Sequence, residues 1–287
     1  MGLINLTQKI MIFYFSGTGN TWWIAKTIQE KLLEEGFKVE KHSIESPIFK
    51  EQGKIDQIIE NVDYIGIGYP IYGSDMPDSF YEFITKLPTV EDKQAFIFTT
   101  MLSFSGDGAL VARRRLKKKG FCVKQAINIP MPNNVKLPYP IFRSFPSHNQ
   151  RQIEKIKIKA TKKVDKFVKK FVKGKKWLEG RDPISILVAL IQRVPMKIIG
   201  WSRFAKNFFV DRKDCIDCLQ CVNYCPTNNI QFKNDQFSWG DNCIACLRCY
   251  NLCPTNAIQY KKATLNKKKY TRYKGPGNGF KVKKLKE

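Results

Sequence analysis

Histidine is almost missing from this chain of 287 residues: His42 and His148 are the only two, and neither stands beside a motif. That argues against His-centred metal sites and against Ser–His or Cys–His nucleophilic pairs. No other general acid–base constellation stands out. Acidic residues are also scarce, 25 Asp and Glu against 50 Lys and Arg, which leaves a net charge of +25. No apolar run reaches the roughly 20 residues that a bilayer span needs. The most apolar stretch, 183–210, is interrupted by Arg193, Pro195 and Lys197. The chain starts with one Lys and a short apolar run, Ile10 to Phe15, that leads directly into a glycine loop, so no secretory signal is expected. Without one, disulfides are not expected either.

The positive charge is unevenly spread. Residues 151–176 hold 12 Lys/Arg against 2 Asp/Glu, and residues 261–287 hold 11 against 1, a net +10 in each. Residues 210–260 carry 4 basic and 5 acidic residues, a net −1. A basic chain often binds nucleic acid, but no nucleic-acid motif accompanies one helix and one tail, and no nucleic-acid partner is expected. An acidic redox protein or an anionic membrane surface suits the charge equally well. The plainer reading is a solvated helix face and a disordered tail.

Cysteine is the exception to scarcity. Eight of nine form two copies of Cys-x-x-Cys-x-x-Cys-x-x-x-Cys-Pro: Cys215, Cys218, Cys221, Cys225 with Pro226, then Cys243, Cys246, Cys249, Cys253 with Pro254. The repeat extends beyond the cysteines. Cys-Ile-Asp-Cys-Leu-Gln-Cys (215–221) aligns with Cys-Ile-Ala-Cys-Leu-Arg-Cys (243–249), and Cys-Pro-Thr-Asn-Asn-Ile (225–230) with Cys-Pro-Thr-Asn-Ala-Ile (253–258). Two pseudo-symmetric halves sharing one small core are expected. Zinc and disulfides are the alternatives, but zinc usually pairs Cys-x-x-Cys with His or a distant second pair. Cys122, alone in an expected strand, reads as a small buried residue.

The other end has a different chemistry. Lys9–Phe15 is a buried-strand pattern, followed by Ser16-Gly17-Thr18-Gly19-Asn20-Thr21 and a helix from Trp22 to Glu35. Strand, hydroxyl- and glycine-rich loop, helix: backbone N–H groups and a helix N-terminus then face one anion. The loop lacks the Lys of a nucleoside-triphosphate loop, and Trp22 stands where a dinucleotide fingerprint requires Gly. Further strands are expected at Lys38–His42, Tyr64–Gly68, Ala95–Thr100 and Phe121–Ile129, with helices near 55–61, 77–86 and 107–119. That alternation predicts a doubly wound parallel sheet of five strands, with ligands beyond the strands' carboxyl ends. The basic segment 150–173 is amphipathic and is expected to cover the sheet as its last helix. A proline-rich stretch, 130–150, precedes it and is expected to form a lid or an interdomain contact. Segment 183–210 is expected to pack between the domains or to lie in a membrane interface.

The cysteine spacing is that of bacterial two-cluster ferredoxins, and the Ser16–Thr21 loop resembles the FMN-phosphate loop of flavodoxins. The whole chain resembles the flavodoxin–ferredoxin fusion proteins of anaerobic bacteria and archaea. The resemblance implies an α/β, flavodoxin-like domain over 1–175 and a small α+β ferredoxin-like two-cluster domain over 210–260; position and composition add an apolar helical connector over 176–209 and a basic tail over 261–287. It implies two 4Fe–4S clusters with crossed fourth ligands: Cys215, Cys218, Cys221 and Cys253 for cluster one; Cys243, Cys246, Cys249 and Cys225 for cluster two. It implies FMN on Ser16, Gly17, Thr18, Gly19, Asn20 and Thr21, with its ring held by Pro70, Ile71, Tyr72, Gly73, Thr100, Ser103, Phe104, Ser105 and Gly106. Tyr72 is the first candidate to stack on the ring, with Tyr69 and Phe104 behind it. The resemblance implies electron transfer between FMN and the clusters; the basic helix and tail add the expectation of an acidic redox partner, and oxygen-sensitive clusters that of a reducing cytoplasm. An FMN-dependent reductase of a small substrate, and a membrane- or complex-associated electron-transfer subunit, are the alternatives.

Overall fold

In the computed structural model, residues 8–143, 145–277 and 280–287 are described; the first seven residues of the expected N-terminal domain lie outside them. Apolar strands alternating with amphipathic helices set the first half. In chain order it comprises β1 (Lys9–Tyr14), α1 (Asn20–Glu34), β2 (Lys38–Ser43), α2 (Lys54–Glu60), β3 (Tyr64–Pro70), α3 (Asp78–Lys86), β4 (Lys93–Met101), α4 (Gly108–Lys118) and β5 (Phe121–Pro130). The short α5 (Pro140–Arg143) and the long α6 (Gln150–Val172) follow. Strands β1, β3 and β4 are buried nearly end to end, as a parallel sheet covered on both faces requires.

The sheet has six strands in the order β2-β1-β3-β4-β5-β6, not five. The added strand, β6 (Trp177–Leu178), pairs in parallel with Gln125 and Ala126 of β5. Two residues are too few to show any period, so no sequence pattern could announce it. Its neighbour Glu179 fixes the edge: a side-chain oxygen accepts from the Asn128 N–H at 2.8 Å and from Lys163. Cys122 sits in β5, half-buried as a thiol in the expected strand.

One face of the sheet is closed by α1 and α6. A capping box between Asn149 and Gln152 opens α6, and Phe167 and Phe171 lie against Phe96 of β4 with centroids 5.3 and 5.4 Å away. The other face is closed by α3 and α4.

The remaining elements are α7 (Pro183–Ile199), a 3-10 turn (Trp201–Asn207), β7 (Phe208–Val210), α8 (Gln220–Asn223), β8 (Ile230–Lys233), β9 (Gln236–Trp239), α9 (Arg248–Leu252) and β10 (Ile258–Tyr260). Strands β7 and β10 pair antiparallel, and β8 with β9 form a hairpin. The small unit's core is Phe208, Leu247, Tyr250, Ile258 and Tyr260, joined by Leu137 from the proline-rich stretch. That stretch therefore makes an interdomain contact: the Tyr250 hydroxyl donates to the Lys136 carbonyl, and the Asn251 amide to the Asn134 carbonyl.

The described residues of the tail pack against the sheet domain, which corrects the reading of a solvated, disordered end. Leu285 is fully buried. The Ser43 N–H donates to the Glu287 carbonyl at 2.7 Å, and the Tyr14 hydroxyl donates to the same oxygen. Alternating aromatic and apolar side chains among the lysines (Tyr270, Tyr273, Phe280, Leu285) supply the anchors that net charge concealed.

Candidate functional site

The phosphate loop is built at the carboxyl end of β1, where Gly19 takes φ 104° and α1 begins without a side-chain cap. Ser16, Thr18 and Thr21 are buried. Among the described residues, the backbone N–H groups of Gly17, Thr18, Asn20 and Thr21 have no protein acceptor, whereas the Gly19 N–H donates to Ser16 Oγ. Uncapped donors at a helix N-terminus, set among buried hydroxyl side chains, suit a phosphate. The side chains of the loop are held in place from outside it. Thr18 accepts from the Asn134 amide at 2.8 Å, Asn20 donates to the Pro132 carbonyl at 2.9 Å and accepts from the Tyr273 hydroxyl. Thr21 and Thr100 share a hydroxyl–hydroxyl bond of 2.8 Å, which ties the phosphate loop to the carboxyl end of β4. Phe280 of the tail packs on Trp22, centroids 5.4 Å apart.

The loops expected to hold the flavin ring lie side by side: the Ile71 N–H donates to the Thr100 carbonyl, next to Pro70. Ser103 and Phe104 face solvent, while Ser105 and Gly106 are buried. Tyr72 is half-buried against Trp201 at 6.0 Å, and its hydroxyl is buried without a partner among the described residues. Tyr69 does not belong to this group. It is fully buried, packs on Phe80, and donates its hydroxyl to the Gly108 carbonyl. Strand alternation in β3 turns it into the core.

Helix α7 roofs the same two loops. A Cβ added at Gly106 would lie 2.6 Å from Ala189 Cβ. Gln192 accepts from Ser74 Oγ at 2.8 Å, and Arg193 pairs with Asp75 and Asp107. Of the whole helix only Ala189 is buried.

The eight repeat cysteines line two cavities. One is bordered by Cys225, Cys243, Cys246 and Cys249, with Phe208 and Trp239; the other by Cys215, Cys218, Cys221 and Cys253. Each cavity thus draws three sulfurs from one copy and one from the other. Among the described residues no three His, Cys, Asp or Glu side chains converge on a point for a single ion. Four sulfurs spread round a cavity suit an iron–sulfur cube better than one tetrahedral zinc.

The repeat is written into the backbone as well. Asp217 and Ala245, Leu219 and Leu247, Asn228 and Asn256 all take φ between 50° and 59° at matching positions. Non-glycine residues hold such angles at a cost, and they gather at ligand sites. Here they turn amides toward sulfur: Asn229 N–H to Cys225 and Ala257 N–H to Cys253, each at 3.2 Å. Hydrogen bonds to the sulfurs tune cluster potential. Burial pushes the Cys246 thiol up to about 12 and the Cys249 thiol well above its usual range. A cluster held there would displace those protons as it bound.

The two units meet at the phosphate loop. A Cβ added at Gly17 would fall 2.7 Å from the Tyr72 hydroxyl and 2.9 Å from the Cys246 carbonyl oxygen, so only glycine admits the ferredoxin-like loop this close. Arg248 locks the contact. Buried at 2% exposure, it pairs with both oxygens of Glu45 at 2.9 and 2.6 Å and donates to the carbonyls of Ser16, Gly17 and Tyr224. The sequence carried one trace of this residue. It is where the second copy of the repeat replaces Gln220 with a charge.

Comparison with known proteins agrees with both halves. A flavodoxin domain family matches residues 11–129, and a 4Fe-4S dicluster domain family matches residues 214–258. The chain is a flavodoxin–ferredoxin fusion protein. It is 34% identical over 121 residues to the uncharacterized protein MJ0298 of Methanocaldococcus jannaschii, covering 40% of this chain and 69% of that one. Among solved structures, the two-electron reduced flavodoxin of Megasphaera elsdenii is 31% identical, covers 44% of this chain and 90% of its own, and superposes with a TM-score of 0.37. A flavodoxin from the domain Archaea is 15% identical, covers 56% of this chain and 99% of its own, and gives 0.38. The strand order and the two family matches carry the assignment. It makes this fusion protein an electron-transfer iron–sulfur flavoprotein, with FMN and 4Fe–4S chemistry implied by its two domains.

Proposed function

We propose that the chain carries electrons in series, from FMN at the Ser16–Thr21 loop, through a cluster on Cys225, Cys243, Cys246 and Cys249, to a second cluster on Cys215, Cys218, Cys221 and Cys253, and on to an acidic protein partner, or in the reverse order. FMN exchanges one or two electrons and each cluster one, so the arrangement joins a two-electron centre to one-electron carriers. The observation that carries the reading is the contact of the Cys246 carbonyl with Gly17, set against the exposure of Cys218 at the far set. The chain's own residues do the positioning. Arg248 and Glu45 hold the near cysteine loop against the phosphate loop and keep water out of the join. The Thr21–Thr100 bond ties the phosphate loop to the carboxyl end of β4.

Charge supports an acidic partner at the far set. Lys267 pairs with Asp214, one residue before Cys215, and Lys268 and Lys269 beside it are exposed. Ile216, between the two outermost cysteines, is 63% exposed and offers an apolar contact at the same spot. The test is chemical and kinetic. Anaerobically purified protein should contain about eight iron and eight sulfide per chain, and a small acidic redox protein should exchange electrons with it more slowly as salt rises. Four iron per chain after full reconstitution would remove one of the two clusters from the scheme.

A further inference from the structure

We propose that α7 anchors this protein to the surface of an anionic lipid bilayer, lying flat in the interface by its outer face. The inference stands apart from the electron-transfer reading.

The helix has two unlike faces. The inner one, Ser185, Ala189, Arg193 and Met196, recurs at steps of three and four and meets the flavodoxin loops. The outer row is Ile184, Leu187, Ile191, Val194 and Ile198, exposed by 73, 58, 64, 49 and 78%. Ile186, Leu190 and Ile199 widen it, each more than 40% exposed. One helix so contributes eight of the large apolar side chains that this protein leaves bare. A contiguous patch of that kind marks a binding surface.

Its chemistry selects the occupant. The outer row is aliphatic throughout, with no Trp, Tyr or Arg, the residues that anchor protein interfaces. Hydrocarbon accepts such a face without needing any matched shape. Exposed cations bracket it: Lys175, Lys176 and Arg181 lead into the helix, Arg203 and Lys206 follow it, and Lys197 sits in its last turn beside Asp75. That is the charge pattern of an interfacial helix on anionic headgroups. A second copy of the chain fits less well, because each copy brings a net +25 to the contact.

Geometry fixes how deep the helix can go. No single helix among the described residues is long and apolar enough to cross a membrane, and α7 bends by 59° into Trp201–Asn207. Seventeen residues extend about 25 Å, short of the roughly 30 Å hydrocarbon core. The inner face, moreover, is tied to Asp75 and Asp107 through Arg193. The helix therefore lies along the bilayer and rests the flavin-ring loops behind it.

Flotation of the full-length, anaerobically purified protein with lipid vesicles tests this. The wild type should float with vesicles of phosphatidylcholine mixed with phosphatidylglycerol, and less with phosphatidylcholine alone or at high salt. The double variant Leu187→Glu, Ile191→Glu should lower the bound fraction at least about tenfold, with its visible spectrum and thermal midpoint unchanged. Arg181→Ala with Lys206→Ala, which leaves the apolar face intact, should weaken binding to the mixed vesicles only. Flotation that the Glu variant leaves unchanged overturns the proposal. So does a failure to float combined with a dimer in sedimentation that the same variant dissociates, since a second copy then covers the face.

Discussion

The two copies of the cysteine repeat share a sequence and occupy opposite surroundings. Ile244, in the second copy, is 6% exposed and belongs to the core of the flavodoxin-like domain; its counterpart Ile216 is 63% exposed. Arg248 is buried in an ion pair, whereas its counterpart Gln220 donates to the Leu252 carbonyl within the small unit. Asp217 pairs with Arg212 at the surface, and its counterpart is Ala245. The backbone angles that turn amides toward sulfur are nonetheless the same in both. Ligation is thus written in the residues that repeat, and docking in the residues that do not. One copy was adapted to face a flavin domain and the other to face solvent.

The comparison breaks most sharply at the mismatched position. Arg248→Met should cost about 3–5 kcal/mol in stability, because Glu45 is then left buried without its partner, and equilibrium unfolding of the anaerobic protein measures it. The equivalent change in the other copy, Gln220→Ala, removes one hydrogen bond and should cost about 1 kcal/mol. Equal costs would mean that the ion pair does not hold the join.

The ordered tail sharpens the contrast on the flavin side. Leu285→Ala should cost about 2–4 kcal/mol, as for other fully buried leucines, although it lies far along the chain from any cofactor motif. Thermal unfolding indistinguishable from wild type would return the tail to solvent. Next in size is the phosphate loop. Thr18→Val with Thr21→Val breaks the bonds to Asn134 and Thr100, each worth about 1 kcal/mol, so FMN should bind about tenfold to thirtyfold more weakly while iron content stays constant. Titration of the flavin-free protein reads this directly. The smallest effect belongs to the exposed copy: Lys268→Glu with Lys269→Glu should slow association with an acidic carrier several-fold at low salt and hardly at all at high salt.

The sheet was legible because its central strands are apolar runs alternating with helical segments, and each expected strand lies within two residues of an observed one. The eight cysteines were legible from spacing and repeat, whereas the crossing of the fourth cysteine between the two sets came only with the resemblance to two-cluster ferredoxins. What escaped has physical reasons too. Strand β6 is two residues long and has no period. Tyr69 and Tyr72 lie three residues apart with similar neighbours, and only the pleat of β3 sends the first into the core. The tail was hidden because net charge counts its lysines and not the four apolar side chains between them. The connector was expected to pack between the domains or to lie in a membrane interface; its helix packs one edge on the flavodoxin loops and leaves its other aliphatic residues bare, a split that charge and hydropathy along the chain do not show.

The most direct test of the series arrangement uses one cysteine from each set. Cys218→Ala and Cys246→Ala are purified anaerobically, and flavin oxidation and iron–sulfur reduction are followed after rapid mixing with an acidic electron carrier. The account predicts that Cys218→Ala keeps fast exchange between flavin and the remaining iron but loses exchange with the carrier. Cys246→Ala should instead keep carrier-to-iron exchange and isolate the flavin. The opposite pattern, with Cys218→Ala isolating the flavin, would place the solvent-facing set next to FMN and contradict the account.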